Sequence, residues 1–321
     1  MKVLIVPGLT LRSVDPVDVD RIRVAGGGAD VVVASDTETA LAEAADADVI
    51  FGGVSRSMYL AAKKLRWVHA IASGVDGYLY DEFRKGDVVL TSEKGLVGEH
   101  LADHAFGLLL MLTRQLKTAM HLGPDAWNHR PTMRAKEIEL TGATMGIFGF
   151  GGTGRAVARR AAAFGMSVMA LDRDPVPVSP EVDVVHGPGD FDDLLGASDV
   201  VAICCPLTPE TRGKFDAAAF RRMKTDAILV NVTRGEVMVE EDLVLALQSG
   251  EIRGAALDVA PREPLPADSR LWSFPQVAMT PHTAGASQFR AGRNIDRFVR
   301  NLERLRRGEP LEGVIDKELG Y

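Results

Sequence analysis

The sequence predicts an α/β chain of two domains, one of them a doubly wound parallel sheet. Three observations predict this. Short apolar runs alternate with helical stretches along most of the chain, and a glycine-rich turn stands between an apolar run and a helix. At 321 residues the chain is also long enough for two domains of ordinary size.

In the first hundred residues, 3–6, 30–34, 49–52, 67–72 and 88–91 read as strands, and 37–45 and 58–65 as intervening helices. That alternation predicts a small parallel α/β unit with short crossovers. A long helix is expected over 99–121, apolar around most of its circumference. Residues 123–140 break the periodicity and read as an extended arm. Strand–helix alternation then resumes. Strands are expected at 145–148, 166–171, 200–205, 227–232, 254–259 and 277–280, with helices over 153–164, 217–223 and 240–248. About six strands suffice for a doubly wound domain. A last helix is expected over 287–307, with the tail rejoining the first domain.

The segment 144–172 carries the sharpest signal. Gly149, Gly151 and Gly154 form G-x-G-x-x-G at the end of one apolar run, and the next apolar run ends at Asp172. Such a unit holds a dinucleotide for physical reasons. Gly149 permits the tight turn, Gly151 lets the backbone approach a pyrophosphate, and Gly154 lets helix pack on strand. The helix start, with Phe150, Gly152 and Thr153 in the same cradle, offers free N–H groups to that pyrophosphate. Asp172 accepts hydrogen bonds from ribose hydroxyls and repels a 2′-phosphate, which points to NAD, while the adjacent Arg173 partly offsets that repulsion.

Bulk properties narrow the partners. Net charge is −7, from 37 basic and 44 acidic residues, which disfavours nucleic acid or an anionic membrane. The basic run at 300–307 is interleaved with Leu302 and Leu305 and reads as the solvated face of a helix. Cys204 and Cys205 are adjacent on an expected strand and point to opposite faces, so they do not bridge and fit a reducing cytoplasm. The opening MKVLIVPG is too short for a signal peptide, and no stretch is long enough to span a bilayer. His100 and His104 lie four apart beside Glu99 and Asp103, but E-H-L-A-D-H is not the H-E-x-x-H of zinc enzymes. A solvated or packing helix face is expected there, and no metal.

Three further segments complete the picture: Asn231-Val-Thr-Arg-Gly235, Ala256-Leu-Asp-Val-Ala-Pro-Arg-Glu-Pro264 and Thr280-Pro-His-Thr-Ala-Gly285. In this order after the glycine turn, the chain resembles the D-isomer-specific 2-hydroxyacid dehydrogenases, which carry N-x-x-R-G, D-V-x-x-x-E-P and P-H-x-x-G. Ala72-Ser-Gly-Val-Asp76 and Cys205-Pro-Leu-Thr-Pro-Glu-Thr211 match as well, so the resemblance covers essentially the whole chain.

The resemblance, closest in kind to glyoxylate/hydroxypyruvate reductases, implies a Rossmann NAD-binding domain over 99–287. That domain would be inserted into a flavodoxin-like substrate domain made of 1–98 and 288–321. It implies hydride transfer between NAD and a small 2-oxo or D-2-hydroxy acid by a homodimer. Arg234 would clamp the substrate carboxylate and ketone oxygen with its planar fork. Ser73, Gly74 and Val75 would hold the carboxylate through backbone N–H groups. His282 would exchange the proton on the ketone oxygen, and Glu263 would fix its tautomer and favour imidazolium. Asp258, Thr233 and His282 would stand at the nicotinamide, with Cys205, Pro206 and Thr211 along the adenosine-side channel. The family often has a Glu where Asp103 stands and an Asn near Ser92 or Glu93. Formate or phosphite as substrate on the same scaffold stays open, as does a nucleotide-sensing corepressor-like binding protein.

Overall fold

Buried parallel strands, connected by helices, organise both parts of the chain. The structure is a computed structural model that describes residues 1–182 and 184–321. It divides into two compact units, Met1–Val97 with Ala286–Tyr321, and Gly98–Gly285.

The first unit runs β1 (Lys2–Val6), α1 (Pro16–Ala25), β2 (Asp30–Val33), α2 (Thr37–Ala44), β3 (Val49–Gly52), α3 (Arg56–Ala61), β4 (Trp67–His69), α4 (Asp81–Lys85) and β5 (Val89–Thr91). Its strands pair in the order β2-β1-β3-β4-β5, all parallel, which is the flavodoxin-like order. Side-chain caps start two of the helices: Asp36 accepts from Thr39 N at 2.8 Å, and Ser55 accepts from Met58 N at 3.3 Å. α1 and α4 are additions to the sequence expectation. α1 buries only Ile22 and Ala25, so its apolar periodicity is faint, although Pro16 at its start and Gly26 at its end mark it.

The chain returns to this unit for its last helix, α12 (Arg290–Arg307), which packs beside α1. Ile295, Phe298 and Leu302 form its buried stripe. The Phe298 ring stacks on Phe51 at 4.3 Å and on Trp67 at 4.9 Å. The tail then rejoins the sheet, with Val314 bridging Thr91 and Ile315 N donating to Leu90 O at 2.9 Å.

The second unit opens with α5 (Gly98–Thr113), α6 (Leu116–Leu122) and α7 (Arg130–Arg134). This corrects two expectations. The single helix over 99–121 is broken at Gln115, which takes a left-handed φ of 51°. The arm is not extended but forms a 3₁₀ turn over Gly123–Trp127 followed by α7. The nucleotide-type core follows as β6 (Thr144–Phe148), α8 (Gly152–Ala163), β7 (Ser167–Leu171), β8 (Val185–His186), α9 (Phe191–Ala197), β9 (Val200–Ile203), α10 (Ala217–Arg222), β10 (Ile228–Asn231), α11 (Glu240–Ser249), β11 (Gly254–Leu257) and β12 (Val277–Met279). The two-residue edge strand β8 and the helix α9 are additions to the reading. The order β8-β7-β6-β9-β10-β11-β12 is parallel throughout and reverses at β6, so the switch point lies between β6 and β9. In such sheets ligands bind beyond the carboxyl ends of the strands at that point. Among the described residues, no helix is long and apolar enough to cross a membrane.

Candidate active site

At the switch point the glycines divide by what they meet. Gly149 turns the chain with φ +99°, and a Cβ there would stand 2.6 Å from the backbone N of Cys205, just past β9. A Cβ on Gly154 would stand 2.2 Å from the Gly149 carbonyl oxygen. The protein itself therefore requires both. A Cβ on Gly151 would meet nothing within 4 Å, so its bareness serves the space in front of the turn rather than packing. The first N–H groups of α8 face outward there without intrahelical acceptors, as at any helix start. Open backbone beside a helix N-terminus fits a pyrophosphate.

Asp172, at the end of β7, accepts from Phe150 N at 2.6 Å with one oxygen and from Asp174 N at 3.1 Å with the other. It thus ties the second strand end to the glycine turn. Arg173 beside it is ion-paired with Asp174 at 3.0 Å. Across the switch point, Thr211 Oγ1 donates to Pro206 O at 2.8 Å and accepts from Thr208 N at 2.8 Å, closing the loop after Cys205. Burial pushes the Cys205 thiol up to about 12, and raises Cys204 too, so both are unreactive packing groups.

The three remaining motifs come together at the ends of β10, β11 and β12. After β10, Asn231 Oδ1 accepts from Thr233 N at 3.1 Å and its Nδ2 donates to Arg234 O at 2.9 Å, so the side chain holds the turn that carries Arg234. Thr233 Oγ1 also reaches back to Ile203 O at 3.4 Å. Gly235 presses this turn against the loop after β11, where an added Cβ would stand 1.9 Å from the Ala260 carbonyl carbon. That second loop carries Glu263, whose Oε1 accepts from Ala260 N at 3.0 Å. Its Oε2 lies 2.6 Å from Nδ1 of His282. A carboxylate can only accept, so Nδ1 carries the hydrogen and Nε2 is the ring nitrogen left to face a substrate. The His282 side chain is 44% exposed, enough to be reached.

His282 is one of two non-glycine residues with positive φ among those described. Asp258 holds it there. Its backbone oxygen accepts from His282 N at 2.7 Å, and its side chain accepts from Thr280 Oγ1 at 2.6 Å, Thr283 N at 2.9 Å and Ala284 N at 2.8 Å. Burial opposes ionisation of Asp258, but hydrogen bonds from His104, Thr280, Ala284 and Thr283 outweigh it and hold the carboxyl below its usual range.

In the first unit, Ser73, Gly74 and Val75 follow β4 in a bend. Their backbone N–H groups donate to no acceptor among the described residues. Tyr78 Oη and Tyr80 Oη tie the next turn to Gly52 O at 3.1 Å and Ser55 O at 3.3 Å. Arg56 Nε lies 3.0 Å from both carboxylate oxygens of Glu82 and Nη2 donates to Oε1 as well, which holds that carboxyl down to about 2.

A family model for the D-isomer specific 2-hydroxyacid dehydrogenase NAD binding domain matches residues 106–284. The glyoxylate reductase of Korarchaeum cryptofilum is 35% identical over 272 residues, which is 83% of this chain and 80% of that protein. The chain belongs to the D-isomer specific 2-hydroxyacid dehydrogenase family. It is an oxidoreductase with an NAD(P)-binding domain. Solved structures agree in fold across whole chains. The NADPH-dependent glyoxylate/hydroxypyruvate reductase of Sinorhizobium meliloti, in complex with NADP and sulfate, superposes with a TM-score of 0.81 at 28% identity, covering 100% of both chains. The NAD-dependent formate dehydrogenase of Staphylococcus aureus, in complex with NAD, gives 0.77 at 27% identity over 98% of this chain and 99% of that one.

In this 2-hydroxyacid dehydrogenase, sequence reasoning missed the use of His104. Its Nε2 lies 2.7 Å from Thr280 Oγ1 and 3.4 Å from Asp258 Oδ1. Glu99 and Asp103, the acids beside it, pair with Arg160, at 3.1 and 2.7 Å, and so join α5 to α8. No local pattern marks this, because Asp258 and Thr280 are far away in sequence.

Proposed function

We propose that this protein reduces a small 2-oxo acid such as glyoxylate or hydroxypyruvate to the D-2-hydroxy acid, using NADH, or runs the reverse oxidation. The observation that carries the reading is the Glu263–His282 contact of 2.6 Å, on loops packed against the Arg234 turn. The nicotinamide, when bound, supplies the hydride. His282 gives the proton to the ketone oxygen from Nε2 and takes it back in the oxidation direction. The carboxylate of Glu263 fixes the tautomer and stabilises positive charge on the ring. Arg234 binds the substrate carboxylate and polarises the ketone through its paired N–H groups. The N–H groups of Ser73, Gly74 and Val75, without acceptors among the described residues, are donors suited to a substrate carboxylate.

Gly149–Gly154 hold the pyrophosphate, and Asp172 receives the adenosine ribose hydroxyls. Cys205, Pro206 and Thr211 line the adenosine side. Thr233, Asp258 and His282 stand on the nicotinamide side. The carboxylate at Asp172 favours NAD over NADP, with Arg173 already paired to Asp174. Steady-state assays of a panel of 2-oxo acids, with formate and phosphite included and each run with NADH or NADPH (NAD or NADP for the oxidations), test this reading. Turnover of formate or phosphite alone, or of nothing, overturns it.

We also read the protein as a cytoplasmic homodimer. Met120 and Trp127, 77% and 78% exposed, lie on α6 and the turn after it and support a subunit contact. A mass near 34.5 kDa in light scattering at micromolar concentration would refute the dimer.

A further inference from the structure

The hydrogen-bond directions around Asp258 can be read one by one. Thr280 Oγ1 lies 2.6 Å from Asp258 Oδ1 and 2.7 Å from His104 Nε2. Asp258 is fully buried at its side chain and ionised, so it can only accept. The single hydroxyl hydrogen of Thr280 therefore goes to Asp258. Thr280 then has only lone pairs to offer His104, and Nε2 of His104 must be the donor. The chain of hydrogen bonds runs from α5 through Thr280 to the carboxylate that receives Thr283 N and Ala284 N. Those two N–H groups, following the left-handed residue His282, make a small concave anion site that Asp258 fills.

We propose that His104 is a positioning residue for the proton step at His282, acting through Thr280 and Asp258. Without its donor, Thr280 is free to rotate, and Asp258 Oδ1 loses its shortest hydrogen bond in a buried place, keeping Thr283 N. The loop over 280–284 then relaxes. His282 leaves the backbone geometry that aims Nδ1 at Glu263. The inference rests on the acid–base role proposed for His282, but the clamp itself is measurable without turnover.

Three variants test it: His104→Leu, His104→Gln, whose amide can still donate, and Thr280→Val. For reduction of glyoxylate with NADH, His104→Leu is expected to lower kcat about tenfold with KM for NADH changed by less than about twofold. His104→Gln is expected to recover kcat to within about threefold of the native protein, which a loss of packing volume would not allow. In the Thr280→Val background, His104→Leu should cost clearly less than it does in the native protein, because the path through Thr280 is already gone and only the 3.4 Å contact of His104 Nε2 with Asp258 Oδ1 is left to lose. In cofactor-free protein, amide hydrogen exchange at Thr283 and Ala284 should accelerate about tenfold in His104→Leu and return in His104→Gln. This exchange reads the clamp even if no 2-oxo acid is turned over, so failure of the reaction assignment and failure of the clamp are distinguishable. Unchanged exchange at both amides, no rescue by glutamine, or additive losses in the double variant would each overturn the proposal.

Discussion

Substituting Gly235 by alanine tests how tightly the Arg234 turn and the Glu263 loop must meet. The added Cβ would stand 1.9 Å from the Ala260 carbonyl carbon and 2.1 Å from its oxygen, whereas ordinary contact begins near 3.4 Å. Both neighbours are backbone, so no side chain can rotate aside, and the loops must separate by about 1.5 Å. A misplacement of about 1 Å in a reacting constellation costs about 10² in rate, so kcat/KM for 2-oxo acid reduction should fall by at least about that factor. Overpacking alone costs about 1–3 kcal/mol, so the fold should survive with a lowered Tm. The control is Gly151→Ala, where the protein offers no obstacle: Tm should hold while NADH affinity drops. Steady-state kinetics with both variants and a thermal melt suffice. Near-native kcat/KM in Gly235→Ala would show that the Arg234 turn and the Glu263 loop need not touch, and the mechanistic reading would fail with it.

If His282 delivers the proton, His282→Ala should lower kcat by about 10² or more while NADH affinity stays nearly unchanged; ordinary turnover would remove it from the mechanism. Asp172 should give NADH at least about tenfold higher kcat/KM than NADPH, and Asp172→Ala should narrow that ratio; an equal or reversed preference in the native protein refutes the ribose assignment. His69, buried between Thr91 and Asn294, is pushed down to about 4, chiefly by desolvation. The unfolded chain therefore takes up a proton below about pH 6.5 that the folded one resists until about pH 4, and stability falls through that window by roughly 3 kcal/mol. Urea midpoints at pH 7 and 4.5 should separate more in native protein than in His69→Gln, and an equal separation would count against it.

The sequence was most readable where period and punctuation coincide. The run from β6 through Gly149–Gly154 to Asp172 shows strand, turn, helix and strand within thirty residues, and Gly149 and Gly154 have a local steric reason there. The break between α5 and α6 was not readable, because Gln115 is neither glycine nor proline and adopts its left-handed φ without any residue-type signal. The helical arm was missed for the opposite reason. Punctuation at Gly123, Pro124 and Pro131 suggests irregular chain, while Pro131 in fact occupies the first turn of α7, where proline is tolerated. Glu263 and His282 could be paired only through the family pattern, since the contact joins residues on separate strand ends. His104 and Thr280 were beyond reach, because hydrogen bonds across 176 positions leave no trace in a local window.

The interrupted first unit imposes an order on biogenesis. The faces of Phe51 and Trp67 that Phe298 covers are made before Gly98–Gly285, yet their cover leaves the ribosome only after it. Gly98–Gly285, by contrast, is contiguous and can close its sheet as it emerges. The nucleotide-type unit is thus free to reach its native pairing while the sheet before it still has an aromatic face in water. Every new copy passes through an interval in which the first sheet waits, sticky and unfinished, for α12.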